Sequence, residues 1–381
     1  MKPFASGGHR TLLYLPLIGV AALAQGPSLP GFGLQGPPVV SVPDEPSCAR
    51  CTVTARTIAE LGDRDGPGSI DYLPFALRVD SRGRFWVMNH DELPKVFDST
   101  GRFVQTIGSV GSGPGEFRMP SDAVAIGDSM LVVDGSLARV TVVGPALKPI
   151  RSIGVRWGFG SPLVLAWPRE VVVTASVPIP ERAGLRLHRV SFGADPATIV
   201  SSFGPDDGEM RPGRDLSQRV SVSTTGRTFW TADITRYRLH EWSYDGRQLR
   251  SLLRTQNWFP PDVRSSMGNR TTSPSPSVAA LVQDSTGLIW VFVRVAKATW
   301  REAWPPAVPG KREYRIREIA WEKLTTTLVE VIDPHAGRVL ARQPLDTYLV
   351  NALSSRRAVF YAVDQHGYPR LSVLSFELVG R

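Results

Sequence analysis

Apolar and polar positions alternate in short runs along this chain. Ala76-Leu77-Arg78-Val79, Ala123-Val124-Ala125-Ile126, Arg139-Val140-Thr141-Val142-Val143 and Arg219-Val220-Ser221-Val222 keep the two-residue period of half-buried strands. Denser apolar cores recur at Phe85-Trp86-Val87, Leu131-Val132-Val133, Val171-Val172-Val173, Phe229-Trp230-Thr231, Ile289-Trp290-Val291 and Val359-Phe360-Tyr361. Each follows the last by about 40 to 70 residues, a spacing that marks repeated supersecondary units. Long amphipathic helical periods are missing from the sequence, and the one candidate helix, Ile316 to Leu324, is short.

Tight turns frame these cores. Asp80-Ser81-Arg82-Gly83, Ser223-Thr224-Thr225-Gly226 and Asp284-Ser285-Thr286-Gly287 precede them, while Asp98-Ser99-Thr100-Gly101, Asp245-Gly246 and Asp333-Pro334-His335-Ala336-Gly337 follow. Asp at the first position and Gly at a left-handed one favour hairpins, so each repeat reads as a four-stranded antiparallel sheet with strands A to D. Six such sheets predict an all-β, six-bladed β-propeller with blades near 70–108, 117–154, 161–204, 216–254, 277–345 and 349–379. The sixth repeat ends at strand C, in Leu371 to Val379. Val53 to Leu61 aligns with the D strands of the other repeats, so residues 53–61 should complete the last blade and remove a free edge.

The run Gly111-Ser112-Gly113-Pro114-Gly115-Glu116-Phe117-Arg118-Met119-Pro120, then Leu131-Val132-Val133-Asp134, then Arg139-Val140-Thr141-Val142, resembles an NHL repeat. Weaker copies stand at Thr57 to Gly68 and Ser202 to Met210. From about Val53 to Val379 the chain is similar to the exported bacterial six-bladed propellers built from such repeats. The resemblance implies the fold more than an activity.

Lys2 and Arg10, the apolar stretch Thr11 to Ala24 and the ending Ala22-Leu23-Ala24 predict a signal peptide over 1–24 and a secreted or periplasmic location. Residues 25–50 are rich in Gly and Pro and are expected to be a flexible leader, with the propeller over 51–381. No second apolar stretch suggests a transmembrane segment. The net charge is +9, or +7 without Lys2 and Arg10, and arginine supplies most of it. A basic balance suits anionic partners, and export makes nucleic acid the least suitable of them. The expected partners are a protein, a peptide or an anionic glycan, met by a monomer.

Cys48-Ala49-Arg50-Cys51 is the only cysteine pair. Thr52 stands where a c-type haem site needs His, zinc would need two further ligands near by, and a redox motif would open a helix. A local disulfide at the fold's edge is therefore expected. Neither a Gly-x-Ser-x-Gly elbow nor a His-Glu-x-x-His motif occurs.

The long connections, Gly62 to Pro74, Gly108 to Pro120, Gly204 to Leu216, Thr255 to Pro276 and an insertion from Lys297 to Lys323, all fall at one end of the blades. Function concentrates on such loops. Candidate ligand-binding residues there are Trp258, Trp300, Arg301, Trp304, Arg312, Tyr314 and Arg315, with Arg317 and Trp321 beside them, because Trp, Tyr and Arg dominate binding hot spots. The bland reading folds these tryptophans into a lid over the insertion's own core. His90, beside Asp91 and Glu92, is a further candidate, as a base, a ligand or part of a solvated loop. The leading function is thus an exported binding module without a cofactor. The alternative is a lactonase-like or lyase-like hydrolytic propeller with a divalent cation on its axis, held by Asp71, Asp122 and Asn351.

Overall fold

Alternating apolar residues put one strand edge and two faces of each sheet against other sheets, and six sheets achieve this by standing in a ring. The computed structural model describes residues 36–381 except 90–91, 168–169, 178, 183–184, 205–217, 223–227, 261–266, 307–315 and 354–355. Blade 1 comprises Ala76–Val79, Phe85–Met88, Lys95–Phe97 and Phe103–Thr106. Blade 2 comprises Pro120–Ile126, Ser129–Asp134, Arg139–Val143 and Pro149–Gly154. Blade 3 is Gly158–Trp167, Glu170–Ser176, Leu187–Ser191 and Thr198–Phe203, and blade 4 is Gln218–Val222, Thr228–Asp233, Arg238–Ser243 and Gln248–Thr255. Blade 5 holds Ser277–Gln283, Ile289–Ala296, Thr325–Asp333 and Arg338–Leu345. Blade 6 takes Tyr348–Leu353, Arg357–Val363 and Pro369–Val379 from the C-terminal end and its fourth strand, Thr52–Leu61, from the N-terminal part. That last pairing is antiparallel, from Thr52 with Val379 to Leu61 with Leu371, and it closes the ring as the sequence predicts.

The turns show why Asp recurs. Asp80 Oδ1 accepts the amides of Arg82 and Arg84, and its Oδ2 accepts Trp86 Nε1–H at 3.0 Å. Asp284 repeats this in blade 5, with Thr286, Leu288 and Trp290 as donors. One carboxylate therefore shapes the A–B turn and satisfies the indole of a buried tryptophan on strand B. Gly101, at φ +93°, ends the equivalent C–D turn of blade 1, and a Cβ there would collide with Glu60 O of the closing strand.

Between blades the packing is apolar inside and polar at its margins. Phe376 lies within ring contact of Trp290, Phe292 and Phe360, so the strand that receives the closing strand also joins blade 5 to blade 6. Arginines tie successive blades through carbonyls: Arg84 to Pro145 O, Arg151 to Phe192 O, Arg189 to Tyr244 O, Arg250 to Pro334 O and Arg294 to Leu349 O. These arginines serve the fold, as guanidinium forks satisfying backbone acceptors.

The expectation of a flexible leader over 25–50 is corrected from Val39 onward. Val39–Pro43 is a fifth strand, parallel to the outer strand of blade 4, with Val39 opposite Ser251 and Pro43 opposite Thr255. Val42 is fully buried there, because it fills the apolar cluster between blades 4 and 5. Ser47 then donates both its amide and its hydroxyl to Val339 O of blade 5 before the chain enters blade 6. The Pro-rich composition conceals this strap, since an edge strand needs little burial and tolerates proline at its end. Cys48 and Cys51 are joined in a disulfide between the strap and the closing strand. The expected helix over Ile316 to Leu324 is instead a 3-10 turn, Ile316–Glu318, and a single α-turn, Trp321–Leu324.

Two outcomes test this packing. Phe376→Ala should cost about 3–5 kcal/mol, read as a lower urea midpoint, because it empties the contact between blades 5 and 6. His188 is buried in blade 3, with Nε2 donating to Ala175 O and Nδ1 facing Ser202 Oγ at 2.8 Å. Burial, with the charges of Arg182 and Arg186, holds its pKa below the ordinary 6.5 against the raising effect of the bond to Ala175. The unfolded chain then protonates first, so this contribution is complete above pH 6.5 and is lost as pH falls towards the folded value. His188→Gln should flatten the pH dependence of unfolding free energy between about pH 7 and pH 5, measured by urea titration.

Candidate functional site

The connection entering blade 2 is the best-built loop of the long-loop end. Gly113-Pro114-Gly115 turns the chain, and Glu116 reaches back so that its carboxylate accepts the Gly113 amide at 2.6 Å. Asp134, fully buried at the end of strand B, accepts the amides of Arg118, Met119 and Leu137. Arg139, at the start of strand C, donates to Ser112 O, Gly113 O and Glu116 O. Phe117 is the loop's apolar anchor, and Gly108, at φ +74°, lies where any side chain would strike Gly115 O and the Phe117 ring. The Gly, Glu, Asp and Arg of the repeat thus form one hydrogen-bonded brace. Blade 1 carries a reduced copy in which Ile70 replaces Phe117, Asn89 replaces Asp134 and Lys95 Nζ donates to Ser69 O at 2.7 Å.

That brace leaves a defined surface exposed. Val110, in the short parallel pairing of Ser109–Val110 with Glu116–Phe117, is 80 % exposed, and Arg118 and Ser112 lie exposed on the same loop. Arg64, on the loop entering blade 1, sits over the Tyr368 ring at 5.1 Å.

The described residues of the blade 5 insertion turn their tryptophans inward, onto blades 6 and 1 rather than onto a core of the insertion's own. Trp300, Ala303, Ile319, Trp321 and Leu324 are buried in one cluster with Leu61, Ile70, Tyr348 and Tyr361 of blades 6 and 1, and Trp304 packs against it. Trp321 meets Tyr348 edge-on at 5.3 Å. Burial, then the nearby Glu322 carboxylate, pushes the Tyr361 hydroxyl up to about 12. Trp300 is thus buried and Trp304 partly buried, a correction to the expectation of open stacking surfaces. Arg301 is exposed and stacked on the Trp300 ring at 4.3 Å, and Arg317 is exposed as well. Trp258 lies in the expected connection but is partly buried, packed beside Tyr237 and Phe259 with its indole N–H on Asp44. His90, Arg312, Tyr314 and Arg315 fall outside the described residues.

Two of the three proposed axial ligands are engaged by neighbouring blades. Asp122 is buried and paired with Arg78 of blade 1 at 2.8 Å. Asn351 spends its amide on Leu77, accepting its N–H and donating to its carbonyl, so it stitches blade 6 to blade 1. Asp71 is exposed and takes a long bond from Ser69. Among the described residues, no group of three or more His, Cys, Asp or Glu is placed to hold a metal ion. A Ser-His-Asp alignment does occur in blade 4, where His240 Nδ1 is 2.8 Å from Ser251 Oγ and Nε2 is 3.7 Å from Asp233. Ser251 and His240 are both buried, and blade 3 repeats the pair as Ser202 and His188, so these are cross-strand ties.

Sequence reasoning missed a charged cluster at the rim between blades 4 and 5. Glu330 is fully buried and accepts from Arg254 at 2.9 Å, Arg342 at 2.7 Å and the Tyr237 hydroxyl. Asp44 of the strap joins it through both arginines and Trp258 Nε1. Burial acts to raise the Asp44 carboxyl, but the hydrogen bonds from Trp258 and Arg342 and the charges of Arg342 and Arg254 outweigh it and hold it below 3.8. Burial, then Glu330, pushes the Tyr237 hydroxyl well above 10. Its signal was a glutamate inside the apolar run Leu328-Val329-Glu330-Val331, a charge that needs a partner.

The fold has solved counterparts. The chain is similar to a member of the DUF4221 family from Bacteroides vulgatus ATCC 8482, at 9 % identity and a TM-score of 0.59 over 87 % of this chain and 99 % of that one. It is also similar to a Bacteroides fragilis NCTC 9343 protein named for its expected export, at 11 % identity and a TM-score of 0.58 over 89 % and 99 %. Both likenesses concern the fold. No protein-family model and no curated protein sequence matches the chain. No helix among the described residues is long and apolar enough to cross a membrane.

If Arg139 braces the loop, Arg139→Ala should raise amide exchange at Gly113 and Phe117 by about tenfold or more, seen by hydrogen exchange, and leave blades 3 to 5 unchanged.

Proposed function

We propose that this propeller is an exported interaction module that holds a protein or peptide partner on the loops entering blades 1 and 2. One observation carries the reading: a loop braced by Asp134, Glu116 and Arg139 nevertheless presents Val110 at 80 % exposure beside Arg118. Rigid backbone lowers the ordering cost of binding, and an exposed apolar side chain with a neighbouring guanidinium is suited to a polypeptide surface. Arg64 and Arg301, on the same end of the blades, extend the basic margin. A glycan is the less supported ligand, because Trp258, Trp300 and Trp304 are engaged in packing. The hydrolytic alternative draws no support from Asp122 and Asn351, whose donor and acceptor atoms serve neighbouring blades. Export rests on the N-terminal pattern of Lys2 to Ala24 and agrees with the expected export of the Bacteroides fragilis counterpart.

Val110→Asp should leave the unfolding midpoint unchanged and abolish retention of a specific envelope protein by the immobilised propeller, identified by mass spectrometry. Val104→Asp, on the outer edge of blade 1 and 44 % exposed, is the control and should retain it. Equal retention by both variants would remove the loop face from consideration.

A further inference from the structure

The ring is complete without the strap. Thr52–Leu61 closes blade 6, and every blade has four strands before Val39–Pro43 is added. Only Val42 of the five strap residues is buried, and Val39 is 66 % exposed. The strap is therefore a ligand-like element lying on a finished surface, and the surface beneath it has the features of a receptor.

Its first feature is a strand edge. Gln248–Thr255 offers its outer backbone groups, which the strap takes in parallel from Val39 to Pro43. The second is an apolar socket, where Val42 is buried in the same cluster as Leu239, Leu252, Val339 and Phe259. The third is a carboxylate clamp. Arg254 Nη2 at 3.1 Å, Trp258 Nε1 at 3.2 Å and Arg342 Nη2 all donate to Asp44 Oδ1. Arg342 also donates to Asp44 O at 2.9 Å, and Arg254 Nη1 donates to Val42 O at 3.0 Å.

The clamp is built from blades 4 and 5 and the loop that joins them. Glu330 holds both guanidinium groups from below, and the Tyr237 and Trp258 rings stack on them at 5.4 and 5.5 Å. Two arginines facing one buried glutamate leave a positive charge that Asp44 neutralises. Without the strap, that charge and the edge of Gln248–Thr255 would lack the partners that Asp44 and Val39–Pro43 supply.

We propose that the rim of blades 4 and 5 is a docking site for an extended acidic segment of another polypeptide, with an apolar residue two positions before the acidic one, and that residues 39–44 occupy it in cis as a displaceable plug. The partner's strand adds to Gln248–Thr255 in the strap's direction, its apolar residue enters the Val42 socket and its carboxylate takes the place of Asp44. Strand addition supplies affinity through the backbone, and the socket and clamp select the sequence. This site is separate from the loops entering blades 1 and 2 and does not depend on their role.

The probe is a fluorescent peptide with the sequence of residues 37–47, read by anisotropy against the full chain in three forms. Ser41 Oγ and Thr255 Oγ1 are 3.2 Å apart and exposed, so Ser41→Cys with Thr255→Cys, oxidised, locks the strap shut. Asp44→Lys opens it by setting a cation against the two arginines, and Val42→Ala is the milder second opening should the first disturb folding. The open forms should bind the probe about tenfold or more tightly than the native chain, the locked form should not bind it, and a probe with Asn in place of Asp44 should lose about tenfold. Equal binding by locked and open forms, or none by folded open forms whose blade 4 edge exchanges its amides freely, would overturn the proposal. Concentration-dependent dimers of the native chain that the lock abolishes would overturn it in favour of a second copy's strap as the occupant.

Discussion

Ring closure is the constraint on which everything else in this molecule rests. A blade buries its two faces only against neighbours, so six blades in an open arc would leave two apolar faces in water. Pairing Thr52–Leu61 with Pro369–Val379 converts the arc into a ring by backbone hydrogen bonds. The side chains that follow from closure, Phe376 among the rings of blades 5 and 6 and Asn351 clasping Leu77 of blade 1, sit at the seams. The C–D turn of blade 1 meets the same seam at Gly101, where only hydrogen fits against Glu60.

The arginine content takes on a different meaning in this light. A propeller has many carbonyls at its turns that no ladder can satisfy, and a long planar donor reaches them from the next blade. Arg84, Arg151, Arg189 and Arg250 do so in series around the ring. Net charge read from composition therefore does not say where charge is offered to a partner, since some guanidinium groups are turned to the next blade while others, Arg64, Arg118 and Arg301 among them, are exposed.

The fold was legible because its signals are local and repeated. Asp-x-x-Gly turns, two-residue alternation and the Phe85, Leu131, Val171, Phe229, Ile289 and Val359 cores each specify one piece of a blade, and the orphan strand before Leu61 specifies the closure. The site was less legible, for a physical reason. Trp300 and Trp304 have the composition of a binding face, yet a sequence does not say whether a tryptophan faces solvent or a lid's own core, and the apolar cluster of blades 6 and 1 decides that. Asp122 and Asn351 were placed correctly on inner strands, but their partners, Arg78 and Leu77, lie 44 and 274 positions away. The strap was hidden for the opposite reason: Val39–Pro43 is too brief and too exposed to show a burial period.

The strap also alters how load travels through the chain. Tension applied upstream of Val39 does not reach the closing strand directly, since the path to Thr52 crosses five paired residues on blade 4, the Asp44 ion pairs and the bond from Ser47 to blade 5. The Cys48–Cys51 disulfide then shortens the slack that remains. The strap is in effect an anchor placed between an upstream pull and the seam that closes the ring.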